Sequence, residues 1–209
     1  MLRATEGSIL AALAALQLGW AVNLSGGFHH ASYGNGGGFC IYPDISLIVH
    51  YLQSRTLIRR IMIVDLDAHQ GNGFERDLII NENVYIVDCY NSKIYPQDPE
   101  GKDAIMRTIL IQPSTSNLEY LQRIDSLEQD FQFCQPEFVI YNAGTDILTG
   151  DPLGKLSMSR ETVIKRDERV IEMSRSRGVP VVMLLSGGYQ STSGEIIGES
   201  LENLCRKFG

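Results

Sequence analysis

Short runs rich in Val, Ile and Met recur along the chain and alternate with longer stretches whose apolar residues fall at helical spacing. This rhythm constrains the fold more than any other feature, because it is the pattern of strands joined by crossover helices in a parallel sheet. Strands are expected at Ala21–Leu24, Arg60–Asp65, Val84–Asp88, Thr108–Ile111, Phe138–Tyr141 and Val181–Ser186. Helices are expected at Ile45–Ser54, Phe74–Ile79, Leu118–Phe133, Arg160–Ser176 and Gly194–Lys207. Asp44 and Ser159 are placed to cap two of them, and Gly178-Val179-Pro180 is a stop signal. The strands are apolar throughout rather than alternating, so the sheet should be covered on both faces, giving a three-layer α/β/α arrangement.

The 209 residues, 44% of them hydrophobic, suffice for one buried core and one domain. No internal repeat, low-complexity tract or linker divides them. A formal net charge of -7 argues against a surface built for nucleic-acid phosphates and suits a cationic partner. Cys40, Cys89, Cys134 and Cys205 include no CxxC pair, so reduced thiols in the cytosol or nucleus are the simplest reading. The run Ile9–Leu18 has the composition of a signal-peptide core, but Glu6 and Gly7 precede it. It reads better as a buried helix with Leu10, Leu13 and Ala14 on its apolar face. No stretch approaches the roughly 18 to 20 apolar residues needed to span a bilayer.

Ligands of open parallel sheets bind beyond the carboxyl ends of the strands, and four strands here lead into unusual loops. These are Ser25-Gly26-Gly27-Phe28-His29-His30 with Gly36-Gly37-Gly38-Phe39-Cys40, Asp65 to Gly73, Asn142 to Asp146, and Ser186-Gly187-Gly188-Tyr189. In extended chain Asp65, Asp67 and His69 share one side while Leu66 and Ala68 take the other. One imidazole with carboxylates, completed by Asp146 from another loop, is the donor set of a catalytic zinc that keeps a position open for water. DxDxH alone is only moderately specific; a second carboxylate beyond another strand makes metal the better reading. His29 and His30 should point to opposite sides, each with its own orienting partner, for which Asp65 and Asn72 are available. The glycines before Phe39 permit close backbone approach to a narrow ligand. Tyr189 reads equally as a turn tyrosine or as a hydrogen-bond donor to a developing oxyanion. His50 lies within a helix and carries no assigned role.

The runs GWAVNLSGGFHH, GGGFC, VDLDAHQGNG, YNAGTDILTGDPLG and SGGYQ, in this order and spacing, resemble the zinc-dependent histone deacetylases, most closely those of class IV. The resemblance covers essentially the whole chain and about the C-terminal two thirds of the family's domain. Residues 1–209 are accordingly expected to be a partial catalytic domain of the arginase/deacetylase-like fold, without the family's N-terminal strands. That loss would leave the strand near Ala21 as an edge and uncover apolar helix faces.

By resemblance, Asp67, His69 and Asp146 are the zinc ligands. His29 and His30 match the paired active-site histidines, backed by Asp65 and Asn72; class I members have Asp at the latter position, whereas Asn is usual in classes II and IV. Tyr189 matches the tyrosine that polarises the acyl carbonyl. Gly38 and Phe39 match the wall of the acyl-lysine tunnel, and Cys40 lies beside its foot. A structural potassium near the carbonyls of Asp65 to His69, with Asp65 and Asp67 contributing, is also implied. So are histone tails or other acylated proteins as substrates, deacetylase-complex proteins as partners, and a place in chromatin and transcription regulation in nucleus or cytoplasm. The same residues also suit an acetylpolyamine deacetylase, and a catalytically impaired fragment that retains partner binding is a further alternative. Two-manganese arginase-like chemistry is disfavoured because no DAHxD pattern is present.

Overall fold

The computed structural model describes residues 1–56 and 58–209. Six strands, β1 (Trp20–Asn23), β2 (Ile61–Asp65), β3 (Val84–Tyr90), β4 (Arg107–Leu110), β5 (Phe138–Asn142) and β6 (Val181–Leu184), form one sheet in the order β1-β6-β5-β2-β3-β4. Every neighbouring pair is parallel. The α/β reading and all six strands therefore hold, with ends displaced by one or two residues. The last strand stops at Leu184 because Ser186 turns into left-handed backbone, φ 49°.

Side-chain alternation along the strands separates two apolar layers. Ile61, Ile63, Ile86, Ile140, Val182 and Leu184 pack with Ile45, Ile48 and Leu52 of α2 (Asp44–Arg55) and Phe74 of α3 (Asn72–Leu78). Met62, Val64, Val87, Val139, Val181 and Met183 face the other way. They meet Ile124 of α4 (Asn117–Asp125), Phe131 of α5 (Leu127–Cys134), Val163 and Val170 of α6 (Arg160–Arg175), and Leu204 of α7 (Ser193–Phe208). Burying both faces removes the apolar strands from water, at roughly 25 cal/mol per Å² of apolar area.

Three expectations require correction. The stretch Leu118–Phe133 is two helices, α4 and α5, which meet at Ser126, where the Arg107 side chain bonds to the Ser126 carbonyl and hydroxyl. Asp44 is the first residue of α2 rather than its cap, and its buried carboxylate accepts from Gly27 N, Phe28 N and Ser8 Oγ instead. The N-terminal helix α1 runs from Leu2 to Leu18, and the face it buries is Thr5, Ser8, Ala12 and Ala15. Leu10 is 65% exposed, because small residues let α1 approach β1 and α2 closely. Ser159 does cap α6, accepting from Thr162 N.

β1 lies at one edge of the described sheet, and Leu2, Leu10, Leu18 and Leu24 are exposed around it. All four cysteines are free. No helix among the described residues is long and apolar enough to cross a membrane.

Candidate active site

The strand order places the site. From β2 the chain proceeds outward through β3 to β4; from β5, on the other flank of β2, it proceeds to β6. The loops leaving the carboxyl ends of β2 and β5 therefore diverge to opposite faces and open a crevice between them, the usual place for a ligand in such sheets. Asp65 and Asn142 pair in register as the last strand residues on either side. Asn142 Nδ2 donates to Asp65 Oδ1 at 3.0 Å.

Past Asp65 the strand ends and the chain bends at residues 67 to 69, with Asp65 Oδ1 accepting from Asp67 N and Asp67 Oδ1 from His69 N, yet Leu66 and Ala68 still enter the core while Asp67 and His69 turn toward the crevice. Asp146 arrives from the β5 loop. One donor atom from each of Asp67, His69 and Asp146 lies within 4.8 Å of the others, and all three residues are buried. His69 Nδ1 sits 3.0 Å from Asp67 Oδ1 and 2.8 Å from Asp146 Oδ2. Gly144 makes this convergence possible, since a Cβ there would fall 2.3 Å from Asp67 Oδ2. Burial, reinforced by the adjacent charge of Asp67, pushes Asp146 up to about 7. Two buried carboxylates and an imidazole whose Nδ1 faces both make a donor set that fits a divalent cation, whose charge would relieve their mutual repulsion.

The two adjacent histidines do not diverge. Residues 27 to 31 form tight turns, with His29 N bonded to Gly27 O and Ala31 N to Phe28 O, so successive side chains come to lie together. The imidazole centroids are 4.1 Å apart. Their partners are those expected: His29 Nδ1 lies 2.9 Å from Asp65 Oδ2, and His30 Nδ1 lies 2.8 Å from Asn72 Oδ1. Burial opposes charge on His29, but Asp65 and Asp67 outweigh it and raise the group to about 9. For His30, burial and the neighbouring His29 act together and lower it to about 3. One histidine thus favours the cation and the other the neutral base.

His30, Gly38, Phe39, His69 and Tyr189 line a cavity of about 350 Å³ together with Ile94, Tyr95 and Leu153. Phe39 is 75% exposed at its mouth. Gly38 adopts φ 47°, and a Cβ there would fall 2.1 Å from His30 Cδ2, so its bare backbone is what admits the histidine. The close approach foreseen for these glycines is thus made first to a side chain of the protein. Tyr189 is 41% exposed and its ring edges toward His69, centroids 6.5 Å apart. Burial and the charges of Asp67 and Asp146 push its phenol upward, keeping it protonated and able to donate. Cys40 lies on a second, adjoining cavity of about 240 Å³, with His29, Gly27 and Ser186 on its walls.

Several contributors were not singled out from the sequence. Tyr95 stands edge-on to His30, centroids 4.9 Å apart. Asp151 binds the Tyr189 backbone N–H through Oδ2 and the Leu153 and Gly154 N–H groups through Oδ1, tying two rim loops together. Asp98 accepts from Asn72 Nδ2 and is held by Arg76. Asp151 was legible as part of the run around GDPLG; Tyr95 and Asp98 follow β3 in a loop that carries no comparable signal.

Fold and site together define a protein of the arginase/deacetylase-like α/β class, with a carboxylate–imidazole–carboxylate centre at the switch point of the sheet. Residues 1–205 match the histone deacetylase domain, and the chain belongs to the histone deacetylase family. It is 50% identical over 202 residues to histone deacetylase 2 of Arabidopsis thaliana, covering 96% of this chain and 52% of that protein. It is 27% identical over 197 residues to histone deacetylase 1 of Homo sapiens, covering 88% of this chain and 39% of that one. Among solved structures, a histone deacetylase homologue complexed with SAHA superposes with a TM-score of 0.81 at 25% identity, over 96% of this chain and 56% of that one. An acetylpolyamine aminohydrolase from Burkholderia pseudomallei gives 0.80 at 20% identity, over 96% and 60%, and shares the fold. The chain spans about half the length of the Arabidopsis relative.

Proposed function

We propose that the site hydrolyses the amide of acylated lysine side chains on proteins such as histone tails, with Zn2+ on Asp67, His69 and Asp146. The observation that carries this reading is the juxtaposition of that buried donor set with the paired histidines, where His30, His69 and Tyr189 share the wall of one apolar cavity. When bound, the ion supplies Lewis acidity toward the amide carbonyl and makes a water acidic enough to react near neutral pH.

The residues of the chain do the rest. His30, held neutral, accepts the proton of the attacking water through Nε2, since its Nδ1 is committed to Asn72. Tyr189 donates its hydroxyl proton as a hydrogen bond to the oxyanion. His30 then returns a proton to the departing lysine amine, while His29, paired with Asp65, sets the field around it. Gly38, Phe39, Tyr95 and Leu153 enclose the aliphatic stem of the side chain and exclude water. Potassium at the Asp65 to His69 carbonyls belongs to the same reading and rests on the family resemblance alone. So do deacetylase-complex partners and a nuclear or cytoplasmic setting.

Parallel hydrolysis assays on acetyl-lysine peptide, myristoyl-lysine peptide and acetylpolyamine test the proposal. Turnover of an acyl-lysine peptide, lost in Tyr189→Phe and His30→Ala, is the expected result. Preference for the polyamine would overturn the protein-substrate assignment, and full zinc loading without turnover of any amide would favour a binding role.

A further inference from the structure

Beneath the crevice, against the backbone of its two loops, lies an arginine with no access to solvent. Arg166 of α6 is 0% exposed, and all of its donor nitrogens are occupied. Nη1 donates to Leu66 O at 3.2 Å and to Gly144 O at 2.6 Å, and Nη2 donates to Ala143 O at 3.3 Å. Nε and Nη2 also meet Asp167 Oδ1, at 2.9 and 2.8 Å. Leu66 lies between Asp65 and Asp67, and Gly144 lies two residues before Asp146. One rigid, planar guanidinium thus grips the backbone of both loops that carry the candidate metal ligands, directly behind those ligands.

The grip is itself anchored. Asp167 Oδ1 accepts from Tyr141 Oη on β5, and Oδ2 accepts from Ser200 Oγ on α7 at 2.6 Å. Burying a guanidinium without an acceptor for each donor is costly, so this cluster persists only while the two loops keep their present separation. Lysine could not reproduce it, because an ammonium offers three donors from one point where the guanidinium spreads five across a plane.

We propose that Arg166 is a positioning residue for the metal centre, fixing the spacing between Asp67 and His69 on one loop and Asp146 on the other. The inference rests on the metal reading above and extends it to a residue that touches neither metal nor substrate.

The test is competition for Zn2+ with a chelator of known affinity, using the whole chain, alongside the melting temperature of the chelator-treated protein. Arg166→Lys is compared with Val170→Ala, a core truncation on the same helix and the same face of the sheet. Arg166→Lys should lose 10- to 100-fold in zinc affinity, the range typical of groups that orient metal ligands from behind. Val170→Ala should lower the melting temperature with zinc affinity held within about twofold. Equal zinc affinity in Arg166→Lys and wild type, or a loss no greater than in Val170→Ala, would overturn the inference while leaving the metal site standing. A wild-type chain that takes up no zinc would overturn both. Should Arg166→Lys fail to fold, Tyr141→Phe decides, since it loosens Asp167 while leaving every guanidinium bond available: a severalfold loss upholds the role and no loss overturns it.

Discussion

Asn72 Oδ1 faces His30 Nδ1 at 2.8 Å because the amide's other end is spoken for: its Nδ2 donates to Asp98 Oδ2 at 3.2 Å. The amide therefore cannot rotate without losing a bond, and His30 is held as the tautomer with a proton on Nδ1 and a lone pair on Nε2. A carboxylate in place of the amide would add a charge that favours imidazolium. Asn72→Asp should raise the proton affinity of His30, moving the acid limb of kcat/KM to higher pH. A pH–rate profile with an unmoved acid limb would contradict this assignment of the base.

Removing the Tyr189 hydroxyl should slow turnover without disturbing the donor set of Asp67, His69 and Asp146. Tyr189→Phe is expected to lower kcat by about 10² to 10³, the usual cost of losing one oxyanion donor. KM and zinc content should change little, and both are measurable on one preparation. A large rise in KM with kcat intact would make Tyr189 a binding residue instead.

Metal removal should register in stability as well as in rate. Dialysis against a strong chelator is expected to abolish hydrolysis and to lower the melting temperature, because a ligand bound only by the folded state stabilises it by mass action. Asp146→Ala should reproduce both effects and be insensitive to added Zn2+. Melting curves with and without zinc that coincide for wild type would argue against the donor set.

Stability should also fall on the acid side through His30. Burial and then His29 depress the group from 6.5 to about 3, so between these values the unfolded chain holds a proton that the folded chain does not. More protons in the unfolded state means stability that is lost as pH falls from about 6.5 toward about 3. Denaturant titrations across that window should show the slope flattened by up to one proton in His30→Gln.

Asp44 offers a test of the fold apart from the chemistry. Its carboxylate holds the Gly27 and Phe28 N–H groups at 2.9 and 2.8 Å and so fixes the turn that leads into His29. Asp44→Ala strands the buried Gly27 donor and the part-buried Phe28 donor and should destabilise the protein by about 1 to 4 kcal/mol, with roughly 1 to 3 kcal/mol for the buried group left unpaired and less for the other. Chemical denaturation reads this directly.

What the sequence conveyed follows from how local each signal is. Apolar strands and the DxDxH spacing declare themselves within a few residues, whereas Asp146 joins Asp67 and His69 from the end of a different strand. His29 and His30 lie together rather than on opposite sides because side-chain alternation applies only to extended chain, and residues 27 to 31 turn. The buried face of α1 departs from its apolar spacing for a different reason. Helical spacing finds the largest apolar side chains, whereas close packing against β1 and α2 selects the small ones, Ala12 and Ala15. Asp98 and Arg166 act through backbone or amide partners far along the chain, and no spacing rule connects them to the site.

The free cysteines have a practical corollary. Thiolate is the reactive form of the side chain, and burial pushes Cys40 and Cys134 up to about 11 and Cys89 up to about 12. Cys205, near the end of α7, is exposed. A maleimide fluorophore would therefore attach selectively at Cys205, outside the residues lining either cavity, leaving a single optical reporter of folding and of substrate encounter on the native sequence.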